Sequence, residues 1–202
     1  AKMNQCAIVE NFDPSSCELT VNRWIGGELA TTDRLVVEAF ESYRFNDAAQ
    51  VLYHFVWHTF CDWYLEFSKA VLQSDEVSDE EKAGTRRTLI DVLEQILRLL
   101  HPLMPFITEE IWGQVAPLAG ITDDTIMHQP YPEVESSLKD KDAESELQWV
   151  MKFILGIRQI RGEMDISPGK VLPVLLKGAQ KSDRQFAARN FRLLERVGRI
   201  ES

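Results

Sequence analysis

The sequence predicts a mainly α-helical protein: an antiparallel helical bundle followed by a truncated small α/β unit. Two observations favour this fold class. Apolar residues recur every three or four positions over long stretches between residues 20 and 117, as they do along the buried face of a helix. Beyond residue 170, a short apolar run precedes a basic helical pattern, and one strand followed by one helix is half of a small α/β unit.

The first two predicted helices span residues 20–43 and 48–72. The first has an apolar stripe that contains Gly26 and Gly27, which either weaken the helix or allow another backbone to approach closely. The second is apolar almost all round, which predicts a helix buried between several neighbours. It contains the segment FCDWYLEFSK, residues 60–69, where two large aromatic side chains lie beside two carboxylates.

The aromatic side chains of this helix, Trp57, Trp63 and Tyr64, are interpreted as structural. Wide rings packed on all sides hold a central helix rigid, because a close-packed interior leaves them no space to move. We expect Asp62 and Glu66 to bind neighbouring helices through backbone or arginine contacts.

Two further helices complete the predicted bundle. Ser78 and Glu81 have the spacing of a capping box, so a helix should begin there and continue to Leu100. Pro102 and Pro105 end that helix and start the next, because proline lacks the N–H of a helix interior but fits the first turn. Short links of this kind join antiparallel neighbours, as in a bundle.

The chain after the bundle has a different character. Residues 120–145 are rich in turn formers and charges, which predicts an irregular connector. A helix with Gly162 near its end follows, then a strand over residues 171–176 and a basic helix over residues 182–197. Pro173 confines that strand to a sheet edge or a bulge. The predicted division is a bundle over 1–119, a connector over 120–145, and a helix plus truncated strand–helix subdomain over 146–202.

Charge divides the chain at almost the same place. Residues 1–135 contain 9 Lys and Arg against 23 Asp and Glu, a net charge of −14. Residues 136–202 contain 13 against 9, a net charge of +4. The acidic part cannot attract a nucleic acid by its overall charge alone. The positive charge is concentrated between Lys152 and Arg199, where 11 Lys and Arg face 4 Asp and Glu.

Several function classes find no support in the sequence. Neither a signal-peptide pattern nor an apolar run of the roughly 18 to 20 residues that a membrane span needs is present, so we expect a cytoplasmic protein without membrane contact. The three cysteines are odd in number and widely spaced, which favours reduced, structural thiols. No glycine-rich phosphate loop or nucleophile motif occurs, and no catalytic residue is assigned.

One stripe of polar side chains suggests a metal site. His54, His58, Asp62 and Glu66 follow one another at intervals of four residues and share one face of the second helix. Carboxylate-bridged metal bundles need matching ligands on other helices, and no such pattern occurs, so we assign no metal ligand. The preferred interpretation is the polar side of an otherwise apolar helix, and a metal-carboxylate bundle stays open as an alternative.

Three segments, in order, carry a resemblance to a known family: YRFNDAAQVLYHFVWHTFCDWYLEFSK, LLHPLMPFITEEIW and IRQIRGEMDISPGK. They resemble the anticodon-binding part and adjoining C-terminal region of bacterial valyl-tRNA synthetases, a branch of the class I aminoacyl-tRNA synthetases. FCDWYLE and RGEMDISPGK are similar to the valine branch in particular. The resemblance extends from about Val9 to Ile200. An isoleucyl or leucyl relative, or a free-standing helical scaffold that binds another protein, is the alternative.

The resemblance implies a fragment of a longer enzyme. The parent would attach valine to valine tRNA with ATP and Mg²⁺, with a catalytic domain upstream and a coiled coil downstream, and would be a monomer. The HIGH and KMSKS signatures and the editing domain have no match here, so this chain alone should be inactive and bind no cofactor. The resemblance also implies that the chain begins inside a helix of the bundle.

The same resemblance, combined with alternating helix directions, predicts where tRNA binds. The end of the bundle far from the catalytic body gathers residues 10–24 and 69–87. Its aromatic, amide and cationic side chains suit unstacked bases and phosphates. The predicted anticodon-binding residues are Phe12, Asn22, Arg23, Trp24, Lys69, Arg86 and Arg87. Arg158 and Arg161 are predicted to contact either the tRNA backbone or a neighbouring domain; direct RNA contact by CDWYLE is the weaker hypothesis.

Overall fold

The computed structural model describes residues 19–134 and 136–201, and the prediction of a mainly α-helical protein is confirmed. The bundle consists of α1 (Thr20–Glu41), α2 (Phe45–His54), a π-helical stretch (Phe55–Tyr64), α3 (Leu65–Leu72), α4 (Asp79–Leu100) and α5 (Pro105–Ala119). The elements that follow are two single 3-10 turns (Ile126–His128 and Ser136–Leu138), α6 (Lys141–Glu163), β1 (Leu172–Pro173), α7 (Lys181–Arg189), α8 (Phe191–Gly198) and β2 (Ile200–Glu201). No strand lies between residues 20 and 115, all of which the structure describes.

The second predicted helix is continuous from Phe45 to Leu72, but its middle differs from the prediction. Ten residues wind as a π-helix, and at its end the Leu65 N–H donates to the carbonyl five residues earlier. Such stretches are rare, and apolar periodicity does not reveal them. The wider turns bury Phe55 and Phe60 but leave Trp57 54% exposed. The expectation that Trp57 is packed on all sides is therefore wrong.

The predicted boundaries of the next two helices are confirmed. The Glu81 N–H donates to the Ser78 hydroxyl oxygen over 3.2 Å, and the Ser78 N–H donates to the Glu81 carboxylate over 3.0 Å. These two bonds form the capping box that starts α4 and satisfy N–H groups that the helix itself leaves unbonded. Pro105 occupies the first turn of α5, where its missing N–H costs nothing.

The connector, residues 120–140, runs back along α1 from its C-terminal end to its N-terminal end. Four contacts fix this path, in order: Tyr131 with Phe40, Val134 with Asp33, Leu138 with Gly27, and Asp140 with Arg23. The close approach of another backbone at Gly27 was one of the two predicted roles of the glycine pair. The connector ends five residues earlier than predicted, because Asp140 accepts hydrogen bonds from two N–H groups of the first turn of α6.

The predicted C-terminal strand and helix are only partly confirmed. The strand predicted over residues 171–176 is reduced to Leu172–Pro173, which pairs in parallel with Ile200–Glu201. Proline cannot donate to a ladder, and Leu175 beyond it is 91% exposed, so an apolar run alone does not make a strand. The helix predicted over residues 182–197 is two helices, which meet at Asn190.

One hydrophobic core serves both the bundle and the C-terminal elements. Ile25 and Phe67 of the bundle belong to the same buried cluster as Ile154 of α6 and Leu194 of α8. A second, smaller cluster around the fully buried Trp112 joins α4 to α5 and the connector. The boundaries predicted for separate domains stay a prediction, but the described elements share their core across those boundaries.

Candidate nucleic-acid interface

A buried hydrogen-bond network joins three elements at one end of the bundle. The Tyr64 hydroxyl donates to the Asn22 carbonyl oxygen over 2.9 Å, and the Asn22 amide donates to the Thr85 hydroxyl over 3.1 Å. The network therefore brings the start of α1 together with the residues around the α3–α4 link. We call this region, residues 19–24 and 69–87, the α3–α4 end. The predicted spatial grouping of these segments is confirmed for the described residues.

Two of the predicted anticodon-binding residues are buried at this end. Asn22 is 4% exposed, and its amide group bonds to Tyr64 and Thr85. Trp24 is 3% exposed; its indole N–H donates to Glu28 over 3.1 Å, and its ring meets Phe67 edge to face. Neither side chain can reach an unstacked base in this conformation. This corrects the prediction: both are structural, because they lie on the inner face of α1.

Arg23 lies on the outer face of α1 and links it to α6. Its Nε donates to the Asp140 carboxylate over 2.8 Å, and the side chains are 42% and 30% exposed. Hydrogen bonds to that carboxylate from the Ala143 N–H and from Arg23 hold the pKa of Asp140 below its usual range. The arginine keeps nearly half of its surface in solvent, so it is accessible to an anion.

The remaining predicted cations of the α3–α4 end are also bound within the protein. Lys69 pairs with Glu66 on its own helix, with both side chains more than 40% exposed. Arg87 pairs with Asp91 over 2.9 Å and is 22% exposed. Arg86 precedes it on α4 and is half-buried. Phe12, the aromatic residue predicted for base stacking, lies outside the described residues.

Arg161 is buried and acts within the protein fold. At 5% exposure, its guanidinium donates to the backbone carbonyls of Ser167, Lys170, Gly198 and Arg199, over 3.2, 2.7, 3.4 and 2.8 Å. These bonds join the SPGK turn to the residue before β2. The prediction of a phosphate or interdomain contact by Arg161 is therefore wrong for this structure, since all of its charge is directed at backbone oxygens of its own neighbourhood.

Arg158 is exposed and lies over the ring of Trp63, with 5.3 Å between the guanidinium carbon and the ring centroid. This cation–π contact joins α6 to the π-helical stretch. No carboxylate pairs with Arg158 among the residues that the structure describes. Because one face of the guanidinium covers the indole, its edge stays available to a phosphate.

The basic helix α8 contacts the α3–α4 end as well. α8 packs against α3, and Arg192 of α8 lies 3.3 Å from the Glu76 carboxylate in the α3–α4 link. Further exposed cations of α7 and α8 are Lys181, Arg184, Arg189 and Arg196. None of these residues is among the predicted tRNA-binding residues. The excess of positive charge between residues 152 and 199 indicated that this region could bind an anion. The sequence does not show which end of the bundle these residues approach.

The opposite end of the bundle has a different chemistry. Its exposed side chains include two aromatic rings: Tyr43 is 81% exposed, and its ring meets Phe45, which meets Phe40 in turn. A cavity of about 310 Å³ beside them is lined by Val37, Phe40, Glu41, Pro102 and Tyr131. Glu41 is the one ionised group in this lining. The cation of this end, Arg44, pairs with Asp47 over 3.0 Å.

The polar groups of FCDWYLEFSK have mostly local partners. Tyr64 is fully buried and bonded to Asn22, which agrees with its structural interpretation. Asp62 pairs with His58 over 3.2 Å and Glu66 pairs with Lys69, each within its own helix. The expectation that these carboxylates bind neighbouring helices is wrong for the described residues. Nor do the described residues contain a group of three His, Cys, Asp or Glu that could hold a metal ion.

The chain matches a known family. In the described part of the chain, none of the helices is both long and apolar enough to span a membrane. A family model, the anticodon-binding domain of tRNA ligase, matches residues 22–176, which is well over half of the chain. This range contains the α3–α4 end from residue 22 onward, the connector and α6. The chain belongs to the family of anticodon-binding domains of tRNA ligases.

Proposed function

We propose that this chain binds the anticodon arm of valine tRNA, as part of a cytoplasmic valyl-tRNA synthetase that attaches valine with ATP and Mg²⁺. The observation that supports the binding site is the convergence of cations from separate elements at the α3–α4 end of an acidic bundle. They are Arg23 of α1, Lys69 of α3, Arg86 and Arg87 of α4, and Arg192 of α8. The valine branch is favoured by the segments FCDWYLE and RGEMDISPGK.

Exchange of carboxylate partners for RNA phosphates explains how an acidic bundle can bind RNA. The pairs Arg23–Asp140, Lys69–Glu66 and Arg192–Glu76 each contain side chains that are at least 30% exposed. Exposed ion pairs contribute only about 0 to 1 kcal/mol, so replacing a carboxylate by a phosphate oxygen costs little. Binding would release counterions from the RNA and should weaken as salt is added.

The direct test is binding of this chain to the anticodon hairpin of valine tRNA, compared with a hairpin of the same stem and altered anticodon bases. We expect the valine hairpin to bind about tenfold or more tightly, because one good base contact contributes roughly 1 to 3 kcal/mol of discrimination. Equal affinity for the two hairpins would contradict anticodon recognition, and preference for an isoleucine or leucine hairpin would favour those relatives.

A pair of arginines on α1 provides a matched variant and control. Arg23 lies at the α3–α4 end and pairs with Asp140, whereas Arg34 lies farther along α1 and pairs with Glu38, with both side chains about half exposed. Arg23→Ala should weaken hairpin binding and, if the residue contacts a phosphate, lower the salt slope by about 1. Arg34→Ala should leave both quantities unchanged. Equal effects of the two substitutions would place the binding surface elsewhere.

A further inference from the structure

A cavity of about 500 Å³ lies between α1 and the connector, where the connector passes Asp33. α1 contributes Ala30, Asp33 and Val37 to its lining, and the connector contributes Pro132 and Glu133. Ligand sites in proteins occupy roughly 300 to 1,000 Å³, so the cavity is large enough for one small molecule. None of its lining residues belongs to the α3–α4 end, so a ligand here need not be RNA.

The Asp33 carboxylate in this lining is only half bonded. Asp33 is 6% exposed, and its Oδ2 accepts from the Val134 N–H over 3.1 Å. Its Oδ1 is buried and has no hydrogen-bond partner among the described residues. Such an oxygen is costly, because it has lost its bonds to water without gaining others. Since Asp33 lines the cavity, a donor that enters between α1 and the connector can reach this oxygen.

A second carboxylate adds its charge to that of Asp33. Burial raises the pKa of Asp33 and outweighs the hydrogen bond from Val134, and the charge of Glu133 raises this pKa further. Glu133 is exposed and lines the same cavity from the connector. Two carboxylates that repel each other across a cavity favour a cation between them, because a cation lowers the energy of both charges.

The cations of the same lining have other partners. Arg34 pairs with Glu38, four residues along α1. Lys139 is exposed, and its charge opposes the raised pKa that burial gives to Glu28. Within the part of the chain that the structure describes, neither cation therefore pairs with Asp33 or Glu133.

The rest of the lining favours an organic cation over a metal ion. Ca²⁺ takes about six to eight oxygen ligands, whereas the described residues contain no group of three His, Cys, Asp or Glu that could hold a metal. Ala30, Val37 and Pro132 instead give the cavity apolar surface. A methylene chain packs against such surface, while an ammonium group at its end donates hydrogen bonds to carboxylates.

We propose that this cavity binds a small alkylammonium ion, whose methylene chain lies against Ala30, Val37 and Pro132 and whose ammonium group donates to Asp33 and Glu133. The ligand joins α1 to the connector at a place where one hydrogen bond from Val134 now holds Asp33. It therefore stabilises the path of the connector along α1. The inference goes beyond the proposed function, because it involves neither RNA nor the cations of the α3–α4 end.

The test is an NMR titration with butylammonium chloride at constant ionic strength, with the backbone amide of Val134 as the reporter. Butanol is the matched probe, since it has the same chain without the charge. Asp33→Asn keeps an acceptor for the Val134 N–H but places an amide where the free carboxylate oxygen was. Asp47→Asn makes the same change at an exposed carboxylate that pairs with Arg44, outside the cavity.

The wild-type chain and Asp47→Asn should show a saturable shift of the Val134 amide with butylammonium and none with butanol. Asp33→Asn should bind butylammonium about tenfold or more weakly, because hydrogen bonds to a charged group are strong. A shift that butanol reproduces, an unchanged affinity of Asp33→Asn, or no saturable shift in the wild-type chain would overturn the proposal.

Lys139→Met separates an external ligand from the chain's own lysine. We expect this variant to bind butylammonium at least as tightly as the wild-type chain, because a like charge has been removed from the lining. Binding by Lys139→Met without binding by the wild-type chain would overturn the proposal, since the side chain of Lys139 would then occupy the cavity. The hairpin experiments test the proposed function separately, so the two can fail independently.

Discussion

The bundle and the region that follows α6 are stabilised in different ways. In the bundle, large apolar side chains fill a common core, and the buried polar groups bond to one another, as Tyr64 does to Asn22. Residues 164–180 contain only two residues of strand, and Leu175 and Met164 remain largely exposed. There the guanidinium of Arg161 holds the backbone in place. Close packing of apolar side chains therefore stabilises the bundle, whereas the hydrogen bonds of one buried arginine stabilise the irregular segment.

The largest effect is expected from Arg161→Met, which keeps the apolar length of the side chain but removes every hydrogen bond to the four carbonyls. Acceptors left without a partner cost roughly 1 to 3 kcal/mol each, so the local structure should lose about 3 kcal/mol or more. Amide hydrogen exchange should accelerate in residues 164–173 and 198–201 and stay slow in α4. Arg158→Met, on the exposed face of the same helix, is the control. Unchanged exchange near the SPGK turn would contradict the role given to Arg161.

In the bundle, Tyr64→Phe removes a single hydroxyl and its hydrogen bond to Asn22. A buried hydrogen bond of this kind contributes about 1 to 2 kcal/mol, and the apolar packing of the ring is retained. Urea unfolding should show that loss without a change in slope. Tyr53→Phe, on a tyrosine that is 57% exposed, should have no measurable effect. Equal stability of the two variants would show that the network contributes little to the α3–α4 end.

The connector should be held to α1 less strongly at Asp33 than the helices of the bundle are held to one another. Asp33 is 6% exposed; one carboxylate oxygen accepts from the Val134 N–H over 3.1 Å, and the other has no partner among the described residues. Burial, with a smaller contribution from Glu133, raises the pKa of Asp33. The folded state therefore binds this proton more tightly than the unfolded chain, so stability should fall as pH rises from the unfolded pKa of about 3.9 through the folded pKa.

Asp33→Asn removes that pH dependence, because an amide can accept from Val134 without carrying a charge. At neutral pH the variant should be about 1 kcal/mol more stable than the wild-type chain. Near the unfolded pKa of about 4 the difference should shrink, because the wild-type carboxyl is then protonated. Thermal unfolding at several pH values measures both effects, and a variant less stable than wild type at neutral pH would contradict the assignment.

The smallest effect is expected from the two adjacent glycines of α1. Gly26→Ala should stabilise the chain by about 0.5 to 1 kcal/mol, because alanine favours the helix and its Cβ meets open space. At Gly27 the added Cβ would lie 3.3 Å from the Leu138 carbonyl oxygen of the connector. Gly27→Ala should therefore be about 1 kcal/mol less stable than Gly26→Ala. Identical unfolding curves would mean that the connector can move away from α1.

Local patterns in the sequence predicted the regular parts of the fold. The capping box at Ser78 and the proline that starts α5 are decided by neighbouring residues, and both predictions are confirmed. The π-helical stretch, the reduced strand at Leu172 and the break at Asn190 depend on partners far along the chain. Asn190, for example, donates to Glu146 of α6. Such contacts are invisible to periodicity and propensity.

In the candidate site, too, the features that depend on distant partners could not be predicted from the sequence. Sequence predicted that the described segments of the α3–α4 end lie together, because helix directions alternate along a bundle, and the hydrogen bond from Asn22 to Thr85 agrees. It did not predict which residues of α1 face inward and which face solvent. Arg23 lies on the outer face, whereas Asn22 and Trp24 lie inside. Arg192 reaches the α3–α4 end only because α8 packs against α3. Arg161 is buried because the SPGK turn and the residue before β2 present their carbonyl groups to it. Neither contact follows from the residues themselves.

Amide hydrogen exchange of the chain, with and without the anticodon hairpin of valine tRNA, tests the location of the RNA-binding surface most directly. The hairpin should slow exchange at the α3–α4 end, residues 19–24 and 69–87, and in α8 around Arg192. Exchange at the aromatic end around Tyr43 and Phe45 should stay unchanged. Protection that appears at the aromatic end and is absent from residues 69–87 would contradict the central claim that the cations of the α3–α4 end hold the RNA.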